Sequence, residues 1–249
     1  MDDSDSTAAS PPPWFREVVW NSLLASLAQL LPTPFVDDVL ENRLRRRMAE
    51  RLAATYGLTV TPDQARDLAG EPAGWSLGRL AGKAILYPLE KIVRKIIYVL
   101  AIKKALDTFS DVFHRGYLLR SALERGALSG PTASDARVAE VAGAIREALG
   151  QVGTAPIGNA VRGVFRGSWR LVRKTLGWLG RRLAGRHVVD ELEAAGASPD
   201  TLEREAPQTE ELLDRLLLVL WGREEHLAAL DRRLASALGE AAGPAAPHS

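Results

Sequence analysis

The sequence contains no cysteine, which excludes disulfides, thiolate chemistry and Cys-ligated zinc. Aromatic residues make up only 6% of it, and its four histidines are scattered. Lysine is scarce while arginine and alanine abound, a composition that fits a GC-rich bacterial genome. Long apolar runs are missing too. The most apolar windows, 18–31 and 92–102, fall short of the ~20 apolar residues a helical span needs. The opening "MDDSDSTAASPPP" lacks the basic and apolar regions of a signal peptide. These absences predict a cytoplasmic chain with no transmembrane helix, peripheral attachment to the inner face of the membrane staying open. There is no alternating strand pattern. Nor is there a Gly-x-Ser-x-Gly elbow, a Walker A loop or a strand-linked Gly-x-Gly-x-x-Gly turn. No catalytic residue and no cofactor are predicted. The net charge of +1 gives no global attraction to nucleic acid, so an electrostatic partner must be met by a local patch.

What is present is helix signal almost throughout. The 249 residues, 46% hydrophobic and 25% charged, suffice for one large helical domain or two small ones. Residues 1–12 and 240–249 read as disordered tails. The interior, 13–239, reads as a single helical domain, with a sub-division near 125–135 left open. Residues 13–31 carry Val19, Leu23, Leu27 and Leu30 on one stripe, ended by Pro32 and Pro34. Residues 35–56 repeat Val36, Leu40, Leu44, Met48 and Leu52 every fourth position, with Gly57 as C-cap. Thr61-Pro62-Asp63-Gln64 is a capping box opening a helix over 62–69. Gly70, Gly74, Gly78 and Gly82 then recur every fourth residue.

The segment from Leu86 to Leu119 predicts a long helix through the middle of the core. Leu89, Val93, Ile96 and Leu100 form one face. After about residue 101 the apolar face becomes Ile102, Leu106, Phe109 and Phe113, nearly opposite. Further helices are predicted over 132–149, 156–184, 187–195, a short one from Ser198-Pro199, and a long one over 210–238 that Gly222 bends. The expected fold is an all-α bundle of about seven or eight helices around a long central one.

The stretch 158–187 holds nine cationic residues or histidines and no acid. On a helical wheel Val161, Val164, Phe165, Trp169, Val172, Leu176 and Leu179 occupy one half. Arg162, Arg166, Arg170, Arg173 and Lys174 occupy much of the other, followed by Arg181 and Arg182. Such a helix suits a membrane interface, its cations meeting anionic headgroups and Trp169 and Trp178 at headgroup level. The competing reading is a core helix whose arginines are solvated or paired with the acid-rich stretch 190–225. Nucleic acid ranks last, because no aromatic-basic recognition motif accompanies the charge. A second cluster, "RLRRRMAER" at 43–51, spreads its arginines around the wheel and reads as a solvated face.

For metals, Asp111 and His114 stand one helical turn apart, a spacing carboxylate-bridged bundles use, but no second copy is visible. His187 with Glu191 is a lone pair of the same kind. Both read as surface contacts rather than ligands, so no metal is predicted. Asp37 and Asp38 suit a helix start, since successive residues point ~100° apart and do not converge.

The order of features over residues 30–70 resembles a bacterial helical domain of unknown function found fused to, or encoded beside, Era-like GTPases. The shared features are Pro32, Pro34, Asp37, Leu52, Ala53, Tyr56, Gly57 and Gly70. The resemblance implies a membrane-associated helical module working with a GTPase. The family's next segment is a very apolar helix pair, whereas here "LEKIVRKIIYVLAIKK" carries charges throughout, so surface association rather than insertion is carried over. The expected function is thus a non-catalytic peripheral membrane or scaffold module using the 158–183 helix, with the 43–51 cluster as a second candidate surface. The alternatives are a cytosolic protein-interaction module or homodimer through the long C-terminal helix, and a metal-dependent helical-bundle enzyme.

Overall fold

The computed structural model describes residues 10–30, 36–71, 92–184 and 207–239; the side chains of 36–39, 92–99, 180–184 and 207–208 lie outside the described set. Among the described residues the fold is all-α. Its helices are α1 Pro13–Ala28, α2 Val36–Thr55, α3 Pro62–Ala69, α4 Ile92–Glu124, α5 Asp135–Gln151, α6 Ala155–Gly167, α7 Trp169–Ala184, α8 Pro207–Trp221 and α9 Glu224–Ala237. Extended pairing among these residues is limited to one isolated bridge, Thr59 to Thr132. The helices expected at 187–195 and from Ser198, and Gly74, Gly78 and Gly82, lie outside the described residues.

Local signals set several boundaries. Pro13 starts α1, where a missing N–H costs nothing. At α3, Gln64 N donates to Thr61 Oγ1 at 3.3 Å and Thr61 N donates to Gln64 Oε1 at 3.0 Å. Both helix-start donors are thereby satisfied reciprocally. Gly70 ends α3 in the left-handed region at φ 67°. The Arg115 guanidinium packs against it, and a Cβ at Gly70 would lie 2.1 Å from Arg115 Nη1.

Helix α4 is the axis. It packs against α1, α2, α5, α6 and α9. From Ala105 onward it is buried around much of its circumference, through Phe109, Val112, Phe113, Tyr117 and Leu118. Leu100, expected on the first core face, is instead 58% exposed, and among the described side chains of α4 the first buried one is Ala105.

A second correction concerns α1, whose sequence suggested a single apolar stripe. Every residue from Val18 to Ala28 is buried, because α2, α4 and α8 all pack on this helix. Its polar residues are satisfied locally: Ser22 Oγ donates to Val18 O at 2.7 Å and Asn21 Nδ2 to Glu17 O at 2.8 Å. Phe15 joins the two ends of the chain, stacking edge-on against Phe113 at 5.7 Å and Trp221 at 5.0 Å.

The long C-terminal helix is broken rather than bent. Gly222 and Arg223 separate α8 from α9, since Gly weakens a helix interior. Leu213, Leu217, Leu220, Leu227, Leu230 and Leu234 are buried within this chain, while Leu218 of α8 is exposed.

Candidate anionic-surface interface

The basic stretch forms two helices, where the sequence predicts one over 156–184. The ladder loosens at Ser168, which carries φ −118° and ψ 26°. Gly163 and Gly167 weaken the preceding turn. Arg215 Nη1 then donates to Ser168 Oγ at 3.0 Å from α8, fixing the junction. One end of α8 meets α7 where Thr209 Oγ1 lies 3.4 Å from Thr175 Oγ1, and Arg215 meets Ser168 farther back. Helix α8 therefore runs antiparallel to α7 and holds its inner face.

Burial follows the wheel. Ile157, Ala160, Val161 and Phe165 of α6, and Val172 and Leu179 of α7, are buried. Val164, Trp169, Leu176 and Trp178 are half-buried. Arg162, Arg166, Arg170, Arg173 and Lys174 are all exposed. Taking Thr175 as the inward direction, Arg173 and Arg170 point away from the bundle and Lys174 points to its side. Trp169 borders that face on the Arg173 side and Trp178 on the Lys174 side. Arg181 and Arg182 fall in the last turn of α7, where side chains lie outside the described residues.

The acids of α8 engage other partners. Glu210 and Asp214 face Arg16 of α1, at 3.5 and 3.4 Å. Glu211 pairs with Arg215 at 2.8 Å. Among the described residues no ion pair joins Arg162, Arg166, Arg170, Arg173 or Lys174 to a carboxylate. Of the acids expected to neutralise the basic helix, those at 190–205 lie outside the described residues.

The second basic cluster is built into the bundle rather than solvated. Arg45 is buried between Glu41 and Asp111 and donates to both. Burial works against its charge, but Asp111 and Glu41 outweigh burial and hold its pKa above the ordinary value. Arg46 grips Glu71, and Arg51 Nη1 reaches Glu17 at 3.1 Å. Arg47 is driven the other way, lowered first by burial and then by Arg51. This cluster cannot present a free face.

Asp111 and His114 do not converge. Asp111 Oδ2 accepts from Arg45 and from Arg115 Nε, the latter at 3.1 Å. Burial raises its pKa, yet Arg45 and Arg115 outweigh that and lower it. His114, fully buried, instead faces Ser110 and His226. Among the described residues no group of three or more His, Asp or Glu side chains gathers around a common point. The sequence offered no hint of the contacts between His114 and His226 or between Tyr117 and Asp231, because each joins positions more than a hundred residues apart. No described helix is long and apolar enough to cross a membrane. No family model matches this chain, and no curated protein or solved structure does.

Proposed function

We propose that the chain is a non-catalytic helical module that docks on an anionic membrane surface through the outer face of α6 and α7. The observation that carries this reading is the set of five exposed cations, Arg162, Arg166, Arg170, Arg173 and Lys174, with no carboxylate partner among the described residues. The half-buried Trp169 and Trp178 support it, since they flank the cations and indoles favour a membrane interface. A basic residue near an anionic leaflet contributes ~1 kcal/mol. Five of them give about 5 kcal/mol at most, which is reversible association that weakens as salt rises. Work alongside a GTPase rests on the resemblance of residues 30–70 alone.

The test is co-sedimentation with phosphatidylserine-containing and pure phosphatidylcholine vesicles at low and moderate salt. Binding to the anionic vesicles only, weakened by salt and abolished by replacing Arg166, Arg170 and Arg173 with Glu, is the expected result. No binding to either vesicle would sink the proposal and direct attention to a protein partner.

A further inference from the structure

His114 of α4 and His226 of α9 meet at the corner where α4, the start of α6 and the start of α9 come together. Their Nε2 atoms are 2.8 Å apart and their rings are nearly perpendicular, at 80°. Hydrogen bonding fixes the tautomers. The Ser110 carbonyl can only accept, so His114 Nδ1 carries the proton and its Nε2 keeps a lone pair. His226 must then donate from its own Nε2. Ser110 Oγ, 3.3 Å from His114 Nδ1, donates onward to Thr154 O at 3.1 Å and closes the inner side. His226 is half-buried, so the outer side reaches solvent.

We propose that His114 and His226 form a two-imidazole site for a borderline divalent cation such as Zn²⁺ or Ni²⁺, clamping α9 to α4. Three features of the pair support this. An imidazole whose Nδ1–H is held by a backbone carbonyl, leaving the Nε2 lone pair to act as acceptor or ligand, has the orientation metal-ligating histidines show. Imidazole nitrogen suits Zn²⁺, Cu²⁺ and Ni²⁺, and the ligand must be neutral. Among the described residues Asp111 is the carboxylate that acts on His114, from its own helix. Two nitrogens bound to one tetrahedral zinc lie about 3.3 Å apart at Zn–N distances of about 2.0–2.1 Å. The observed separation needs to open by only about 0.5 Å to reach that spacing, within a small rotation of His226. The cation replaces the proton on His226 Nε2, which moves to Nδ1 of the same ring. Water fills the remaining positions on the solvent side.

The experiment is calorimetric titration of the full chain with Zn²⁺, Ni²⁺ and, as an oxygen-preferring control, Mg²⁺. Thermal unfolding would be recorded with and without each ion. The expected result is one Zn²⁺ or Ni²⁺ per chain, a midpoint raised by a few degrees, and no effect of Mg²⁺. In His226→Gln, whose side-chain amide still donates to His114, binding should fall at least tenfold. Imidazole ¹⁵N spectra of the unaltered chain give a readout that does not depend on a variant folding. Zn²⁺ should shift the Nε2 signals of His114 and His226 together. Absence of binding, undiminished binding by His226→Gln, or shifts confined to His187 and His248 would each overturn the proposal and leave a hydrogen-bonded histidine pair.

Discussion

Tyr117 donates its hydroxyl to Asp231 Oδ2 at 2.7 Å, while Ser121 Oγ donates to Oδ1 of the same carboxylate at 2.6 Å. Two consecutive turns of α4 thus hold one buried acid of α9. Burial and the nearby Asp231 raise the Tyr117 pKa well above its ordinary value, so the phenol stays protonated and can donate.

Asp231→Ala should therefore cost about 2–4 kcal/mol, because it leaves two buried hydroxyls without an acceptor. Urea unfolding of the two proteins checks this. Asp231→Asn keeps one acceptor and should recover about half of the loss. Equal stability of the alanine variant would mean that water replaces the carboxylate.

The His114 pair sets an acid limit. His114 has a pKa of about 4 in the fold against 6.5 when unfolded. Between those values the unfolded chain binds more protons, so stability is full above pH 6.5 and falls as pH drops toward 4. Such a shift corresponds to about 3 kcal/mol. The lowered pKa of His226 acts in the same direction. Denaturant midpoints measured across this window should decline in the unaltered chain and flatten in His114→Gln. A variant with the same slope would place the acid sensitivity elsewhere.

Arg45 carries the charge balance where α2 meets α4. Arg45→Ala would leave Glu41 and Asp111, both partly buried, short of their shared cation, at a cost of about 3 kcal/mol. Arg45→Lys keeps the charge but reaches two carboxylates poorly from a single ammonium, and should restore only part of the loss. Thermal unfolding distinguishes the three proteins.

The basic face predicts the opposite behaviour. Replacing Arg166, Arg170 and Arg173 by Glu should change stability by less than about 0.5 kcal/mol per site and leave helicity intact, since all three are exposed. Circular dichroism and urea unfolding give the answer. A collapse in stability would show that these arginines hold the bundle together.

Much of the local architecture was legible in the sequence. The capping box at Thr61 and Gln64, the left-handed cap at Gly57, and the stripe of Leu40, Leu44, Met48 and Leu52 all follow from nearest-neighbour chemistry. The outward placement of Arg162, Arg166, Arg170, Arg173 and Lys174 follows from spacing in the same way. The break at Ser168 was not legible, because the four-residue periodicity runs straight through it and the arginine that braces it comes from position 215. The encirclement of α1 was hidden for a related reason: its buried serines bond to their own backbone and so read as polar residues of an ordinary surface helix. His114 stood out as a residue of interest, but its partner lies 112 positions away and only tertiary packing brings the two together.

Helix α1 has its own consequence for synthesis. Every residue from Val18 to Ala28 is buried, yet one of the helices covering it, α8, comes late in the chain. Arg16 and Asp214, which meet across that contact, are separated by 198 positions. At translation rates of about 5–20 residues per second, α1 would wait about 10–40 s for α8 to be made. During that interval its apolar surface faces α2 and α4 at best and is otherwise open to wrong partners. Nascent chains stalled before α8 should therefore be aggregation-prone, because a helix made first is fully covered only once α8 has been made.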